Sequence, residues 1–248
     1  MNVLRKLRNR PVVRKIVNRL RPEVSESAFL SPLGEPFASV LCSMYAREPQ
    51  LGSDGKLHPI DTTARISSSQ GMWIYQLIRD MKPERTLEIG LALGFSTVYF
   101  LAALQKNGKG NHIAIDPFEY LWHDVGLTRA KVTNVAPGTF THINEHCVKV
   151  LTKMWDEERR FDVILIDGDH KFDGVMIDFY LTSLVCGTGG FIIFDDLMML
   201  PVRRCIDFVR KNRADFIEVD TGLPNMTAFR KVGDDKRNLT DPNFFVPF

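Results

Sequence analysis

The chain has 248 residues, 44% hydrophobic and 25% charged, with a net charge of +2. That length is enough to bury one sizeable core, so one domain with an extension is expected; no run of about 18 apolar residues is available to cross a bilayer, and the opening residues carry Arg and Lys where a secretory leader needs an apolar stretch. The four cysteines, Cys42, Cys147, Cys186 and Cys205, are far apart and form no Cys-x-x-Cys pair, so neither a disulfide framework nor a thiolate metal site is suggested and a soluble protein of the reducing cytoplasm is expected.

Residues 1–22 hold eight Arg or Lys and no acid, leaving 24 basic against 30 acidic residues in the remainder. A basic segment on a mildly acidic body attracts anionic lipid, nucleic acid or an acidic surface. Val13, Ile16, Val17 and Leu20 fall at helical spacing behind Pro11. An amphipathic helix is therefore expected, its stripe packed on the body or on a second copy in a homodimer. Weak contact with a membrane surface is the alternative, and nucleic-acid binding ranks behind both.

Residues 31–36 and 51–55 carry turn chemistry around an apolar stretch, 37–45, that reads as helix, so residues 1–65 form an arm and an N-terminal helical cap. From residue 66 the pattern becomes regular. A helix over 69–81 stops before Pro83, a strand follows over 86–89, a helix over 96–104 and a strand over 112–115 that ends at Asp116. Residues 121–135 read as helix, 140–143 as extended and 148–155 as helix. Then come a continuous apolar strand, 161–166, a helix, 174–185, a buried strand, 191–194, a helix, 202–212, and strands over 216–219 and 226–232. Apolar strands alternating with helices predict a parallel sheet covered on both faces, a doubly wound α/β fold over residues 66–232. The tail, 233–248, ends in aromatics expected to pack against the body or a neighbour.

Open parallel sheets bind ligands beyond the carboxyl ends of their strands, where the strand order reverses. After the first strand the chain reads Glu88-Ile89-Gly90-Leu91-Ala92-Leu93-Gly94-Phe95-Ser96. Gly90 and Gly94 lack a Cβ, which permits a tight turn and close approach of a ligand. Ser96 and Thr97 open the next helix, whose free amides and positive dipole end suit a carboxylate such as that of methionine. Asp116, at the end of the following strand, can accept both hydroxyls of a ribose, with Pro117 and Phe118 as an apolar wall for adenine. A dinucleotide fold also places an acid there, but it favours Gly-x-Gly-x-x-Gly. The spacing Glu-x-Gly-x-x-x-Gly favours S-adenosylmethionine, with an ordinary strand-to-helix turn as the bland reading.

Thr86 to Thr97, Ile115-Asp116-Pro117 and Phe161-Asp162-Val163-Ile164-Leu165-Ile166-Asp167-Gly168-Asp169-His170 resemble class I methyltransferases, above all small O-methyltransferases and bacterial antibiotic-sugar O-methyltransferases. The resemblance covers residues 66–232. It implies a Rossmann-like sheet of seven mostly parallel strands with the last antiparallel, and a cofactor set of Glu88, Gly90, Leu91, Gly94, Ser96, Asp116, Pro117 and Asp167. Cys147 stands where relatives place a small polar residue near adenine.

Asp167 and Asp169 end one apolar strand while Asp195 and Asp196 end the next, so up to four carboxylates converge beside the loop. A hard divalent cation such as Mg²⁺ would relieve their repulsion and hold two substrate oxygens. Helix capping, or pairing with Arg203 and Arg204, is the alternative. The resemblance to metal-dependent O-methyltransferases such as catechol O-methyltransferase implies Asp167, Asp195 and Asp196 as ligands. It sets His170 where those enzymes place a lysine base, with Asp169 as the competing base. The expected reaction is metal-assisted methyl transfer to a small-molecule hydroxyl. A metal-independent methyltransferase and a non-catalytic cofactor-binding module are the alternatives. His142-Ile143-Asn144-Glu145-His146 also matches a zinc-peptidase pattern, but Thr139-Phe140-Thr141 favours a strand there, which turns adjacent side chains apart. Acceptor specificity is expected in residues 23–65, in Ser67 to Gln70 and in the loop after Asp196, with Met198, Met199, Leu200 and Trp122 as candidates for an apolar wall.

Overall fold

The computed structural model describes residues 25–61, 63–238, 240 and 245–248. The amphipathic helix expected over residues 1–22 lies outside the described residues.

The cap begins with α1 (Glu26–Leu30), whose Ser25 hydroxyl accepts from the Ala28 amide, and continues through a 3₁₀ turn into α2 (Phe37–Tyr45). Two short strands, β1 (Gln50–Leu51) and β2 (Leu57–His58), then pair antiparallel as a hairpin where the sequence suggested turns alone. Helix α3 (Ser68–Met81) starts in a capping box: the Ser67 hydroxyl accepts from the Gln70 amide, and the Gln70 side chain accepts from the Ser67 amide at 2.8 Å. It ends at Lys82 in the left-handed conformation, just before Pro83.

Seven strands form the main sheet, β3 (Arg85–Ile89), β4 (Asn111–Ile115), β5 (Phe140–Ile143), β6 (Phe161–Ile166), β7 (Cys186–Phe194), β8 (Phe216–Val219) and β9 (Thr227–Lys231), in the order β5-β4-β3-β6-β7-β9-β8. The pairings are parallel except those of β9, which runs antiparallel to β7 and to β8 on either side of it. The expected seven-stranded, mostly parallel, doubly wound sheet is thus present. Strand β7 is longer than expected, because the glycine-rich stretch before Phe191 joins the ladder with an irregular register.

Adjacent residues of β6 separate the two sides of the core. Val163 and Leu165 face the layer of α3, the cap and α4 (Phe95–Asn107), while Ile164 and Ile166 face the opposite layer. That second layer holds α6 (Cys147–Asp156), α7 (Phe172–Val185) and α8 (Leu200–Asn212). Helix α4 is buried on every side from Phe95 to Leu104, which is why its sequence reads as apolar throughout. The helix expected over 121–135 is broken. A 3₁₀ turn at Glu119–Trp122 is followed by His123 and Asp124, both with φ of 56°, and only then by α5 (Val125–Val132). The final residues lie against the body: the Asn212 amide donates to Val246 O at 2.8 Å and accepts from its N–H at 2.7 Å, and the Phe248 ring is 5.3 Å from Phe208. Among the described residues no helix is long and apolar enough to cross a membrane.

Candidate active site

Strand order reverses between β3 and its two neighbours, β4 and β6, and a cavity of about 670 Å³ opens at the carboxyl ends of β3, β4, β6 and β7. Its floor is the loop after β3. Gly90, Ala92 and Gly94 there have φ of 92°, 45° and 79°, so a non-glycine residue shares the left-handed turn the two glycines foretold. A Cβ on Gly90 would fall 2.3 Å from the Asp167 carbonyl oxygen, which leaves room for glycine alone where the loop after β3 passes the end of β6.

Asp116 lies across this loop. Its Oδ2 accepts from the amides of Leu91 and Ala92 at 2.9 and 3.1 Å, and its Oδ1 from Phe118 at 2.8 Å. The carboxylate therefore fixes the floor and lines the cavity at the position expected for a ribose. Leu91, Ser96 and Pro117 line it as well. Glu88 does not. Fully buried beneath the loop, it accepts from Ser96 Oγ at 2.8 Å and from the Thr97 hydroxyl, and lies 3.2 Å from His112 Nε2. Its part is to hold the start of α4 from below, and the Ser96 hydroxyl points down to it. Gly94 is also absent from the wall, backing instead onto Gly126.

The wall expected for adenine is built by Pro117, Phe118 and His146, the Phe118 and His146 rings meeting edge to face at 5.5 Å. Cys147 also lines the cavity, at the head of α6, where its Sγ donates to Asp178 Oδ1 at 2.8 Å. Burial, reinforced by the charge of Asp178, pushes the thiol up to about 12, so it is a neutral wall residue.

At the ends of β6 and β7 the acids divide into three environments. Asp167 and Asp196 flank His170, whose Nε2 lies 4.0 Å from Asp167 Oδ1 and 3.0 Å from Asp196 Oδ2. The Asp167 and Asp196 carboxylates on either side push the imidazole up to about 10, while the contact with His170 holds Asp196 below the usual carboxylate range. Burial raises Asp167, and Asp196 adds to that. Asp195 is buried; it accepts from the Gln70 side-chain amide and from Asn225 Nδ2, and desolvation followed by repulsion from Asp167 raises its pKa. Asp169 also lines the cavity, while its Oδ1 accepts from the Lys171 amide at 2.9 Å at the head of α7 and its Oδ2 sits over Gly174. Asp167, His170 and Asp196 bring one ligand atom each within 4.8 Å of one another, and Asp195, bonded to Gln70, lines the same cavity beside them.

Sequence reading did not find Asn225, which comes from the loop before β9 and donates to both Asp195 and Asp196 at 3.3 Å. Nor did it find Glu119 or Asp178. Trp122 lines the cavity, as expected for an apolar wall, whereas Met198 and Leu200 are exposed outside it. The zinc-peptidase pattern is not assembled. His142 sits on β5 and faces Asp116 O at 2.8 Å, His146 precedes α6, and Glu145 pairs with Lys149.

A family model described as a methyltransferase domain matches residues 87–197. A protein of Arabidopsis thaliana, provisionally named a caffeoyl-CoA O-methyltransferase, is 27% identical over 161 residues, 63% of this chain and 67% of its own length. Two solved structures share the fold at 18% identity: an O-methyltransferase from Bacillus cereus in complex with SAH (TM-score 0.57, covering 89% of this chain and 97% of that one) and TomG from Streptomyces achromogenes in complex with SAM (TM-score 0.56, 90% and 96%). With the sheet order, the glycine loop and the strand-end acids in place, residues 87–197 match a methyltransferase domain and the chain has the fold of these solved O-methyltransferases.

Proposed function

We propose that the chain transfers the methyl group of S-adenosylmethionine to a hydroxyl of a small molecule, with a divalent cation such as Mg²⁺ held at Asp167 and Asp196 beside Asp195. The observation that carries this reading is that Asp167 and Asp196 converge, with His170, in the same cavity as the glycine loop. The donor set fits a hard cation: carboxylate oxygens crowd a partly buried place, and burial, with their mutual repulsion added, raises Asp167 and Asp195. When bound, such an ion polarises substrate oxygens and lowers the pKa of a coordinated hydroxyl.

The rest is done by this chain's own residues. The floor at Leu91 and Ala92, tied to Asp116, receives the ribose side of the donor, and the Phe118–His146 wall covers the adenine and excludes water. The methyl carbon passes in line from sulfur to the acceptor oxygen, the carbon–sulfur bond breaking as the carbon–oxygen bond forms, so the acceptor must be aimed and its proton removed. His170 is the group placed to take that proton, but only in its neutral form. Its tie to Asp196 favours the cation, so it acts as a base once Asp196 has another positive partner. Asp169, whose Oδ1 is engaged with the head of α7, lines the same cavity and is the competing base.

The test is a donor-consumption assay against catechols, simple phenols and sugar hydroxyls, before and after exhaustive chelation and with Mg²⁺ or Mn²⁺ restored. Turnover that disappears on chelation and returns with the ion is expected. Full turnover after chelation makes the enzyme metal-independent, and donor-product binding without turnover of any acceptor makes it a binding module.

A further inference from the structure

Among the described residues, two sets of three His, Cys, Asp or Glu side chains bring one ligand atom each within 4.8 Å of the others. One is the Asp167 set already described. The other, Asp54, His58 and His123, lies outside the catalytic cavity and joins two parts of the chain distant in sequence.

Asp54 and His58 belong to the hairpin of β1 and β2, where His58 Nε2 is 2.9 Å from Asp54 Oδ1. His123 ends the 3₁₀ turn that follows Phe118. The His58 and His123 rings are stacked, with centroids 3.7 Å apart and planes 9° from parallel. Backbone contacts hold the two segments in this register: Ser53 N donates to His123 O at 2.9 Å, and the Ser53 hydroxyl donates to Asp124. A Cβ on Gly52 would lie 2.7 Å from His123 O and 2.8 Å from His58 Cδ2, so glycine is what allows the approach. The left-handed His123 and Asp124, both at φ of 56°, spend conformational energy to bring the second imidazole over the first.

Hydrophobic burial gives little return for that strain, because Asp54 and His123 are exposed and His58 is half-buried. Two imidazole nitrogens and one carboxylate oxygen are instead the donor set of a borderline divalent ion, with water in the fourth position; Mg²⁺ prefers oxygen alone. The geometry points to a Zn²⁺-class site at Asp54, His58 and His123 that clamps the cap hairpin to the segment bearing the Phe118 and Trp122 walls of the cavity. The site is independent of the reading of the acidic cluster.

The full-length chain, stripped by chelation and dialysed, is titrated with Zn²⁺ and separately with Co²⁺ in excess Mg²⁺. Wild type and the His170→Ala protein are both expected to bind Zn²⁺, to show the intense visible absorption of four-coordinate Co²⁺, and to melt at higher temperature with metal. His58→Ala and His123→Asn are expected to weaken binding by roughly tenfold or more and to lose the cobalt spectrum, since each removes one of three ligands. His123→Asn keeps a polar side chain of similar reach, and its metal-free melting temperature shows whether a loss reflects ligation or unfolding. No Zn²⁺ bound by the wild type, unchanged affinity in both folded variants, or a spectrum abolished by His170→Ala alone overturns the assignment.

Discussion

His170 and Asp196 hold each other across the open end of the sheet, Nε2 to Oδ2 at 3.0 Å, beside the cavity in which the donor is expected. The imidazole so held is a cation up to about 10, and a cation cannot act as a base. Two substitutions separate the roles. His170→Ala is expected to lower turnover by roughly 10²-fold or more, the usual worth of a positioned base, and Asp196→Asn to lower it comparably while weakening its response to Mg²⁺. Titration with the demethylated donor is expected to give wild-type affinity in both. Wild-type turnover in His170→Ala would remove His170 from the mechanism.

Asp116 ties the amides of Leu91, Ala92 and Phe118 to one carboxylate, so its loss affects both the ribose position and the shape of the floor. For Asp116→Ala, donor affinity is expected to fall by roughly tenfold or more, equivalent to about 1.4 kcal/mol or above. Turnover at saturating donor should change less. A loss confined to turnover, measured with calorimetric affinity alongside, would mean that Asp116 does not meet the donor.

The sheet, the glycine loop and the strand-end acids were legible because each rests on a short-range signal: uniformly apolar strands, left-handed glycines and acids where a strand stops. Long-range partners left no such signal. Gln70 reads as half of a capping box, which it is, yet its free amide reaches Asp195, 125 residues away. Asn225 sits in an ordinary turn and becomes informative only when β9 returns antiparallel beside β7. Glu88 matched the motif but not the cavity, since a motif fixes sequence position and leaves open which side of the loop a carboxylate takes. The break at His123 and Asp124 was hidden because both residues carry side chains and nevertheless adopt positive φ.

Beneath the loop, Glu88 is the common acceptor for Ser96 and Thr97 and lies beside His112, whose ring is stacked at 4.3 Å on Phe100. Truncation leaves those polar groups buried without it. Glu88→Ala is expected to destabilise the fold by about 2–5 kcal/mol, and Glu88→Gln by less, because an amide oxygen still accepts. Urea denaturation monitored by circular dichroism reads both values. A loss under about 0.5 kcal/mol for Glu88→Ala, as for a surface site, would show that the network carries no stability.

Glu119 supplies a pH dependence of defined sign. It is 2% exposed, neither carboxyl oxygen makes a well-aligned hydrogen bond, and burial, with Asp116 adding to it, pushes the group up to about 9. In the unfolded chain the same carboxyl releases its proton near 4.5. Between those two values the folded state holds a proton that the unfolded state has lost. Its contribution to stability is therefore complete below about pH 4.5 and declines as pH rises through the window to about 9. Glu119→Gln has no proton to release and escapes this decline. Its advantage over wild type is expected to grow from near zero at about pH 4.5 to roughly 2–4 kcal/mol at about pH 8, measured as the difference in unfolding free energy across a pH series. Parallel curves for the two proteins would mean that Glu119 is already ionised in the folded state at neutral pH, with the amides of Gly126 and Leu127 at the head of α5 satisfying its charge.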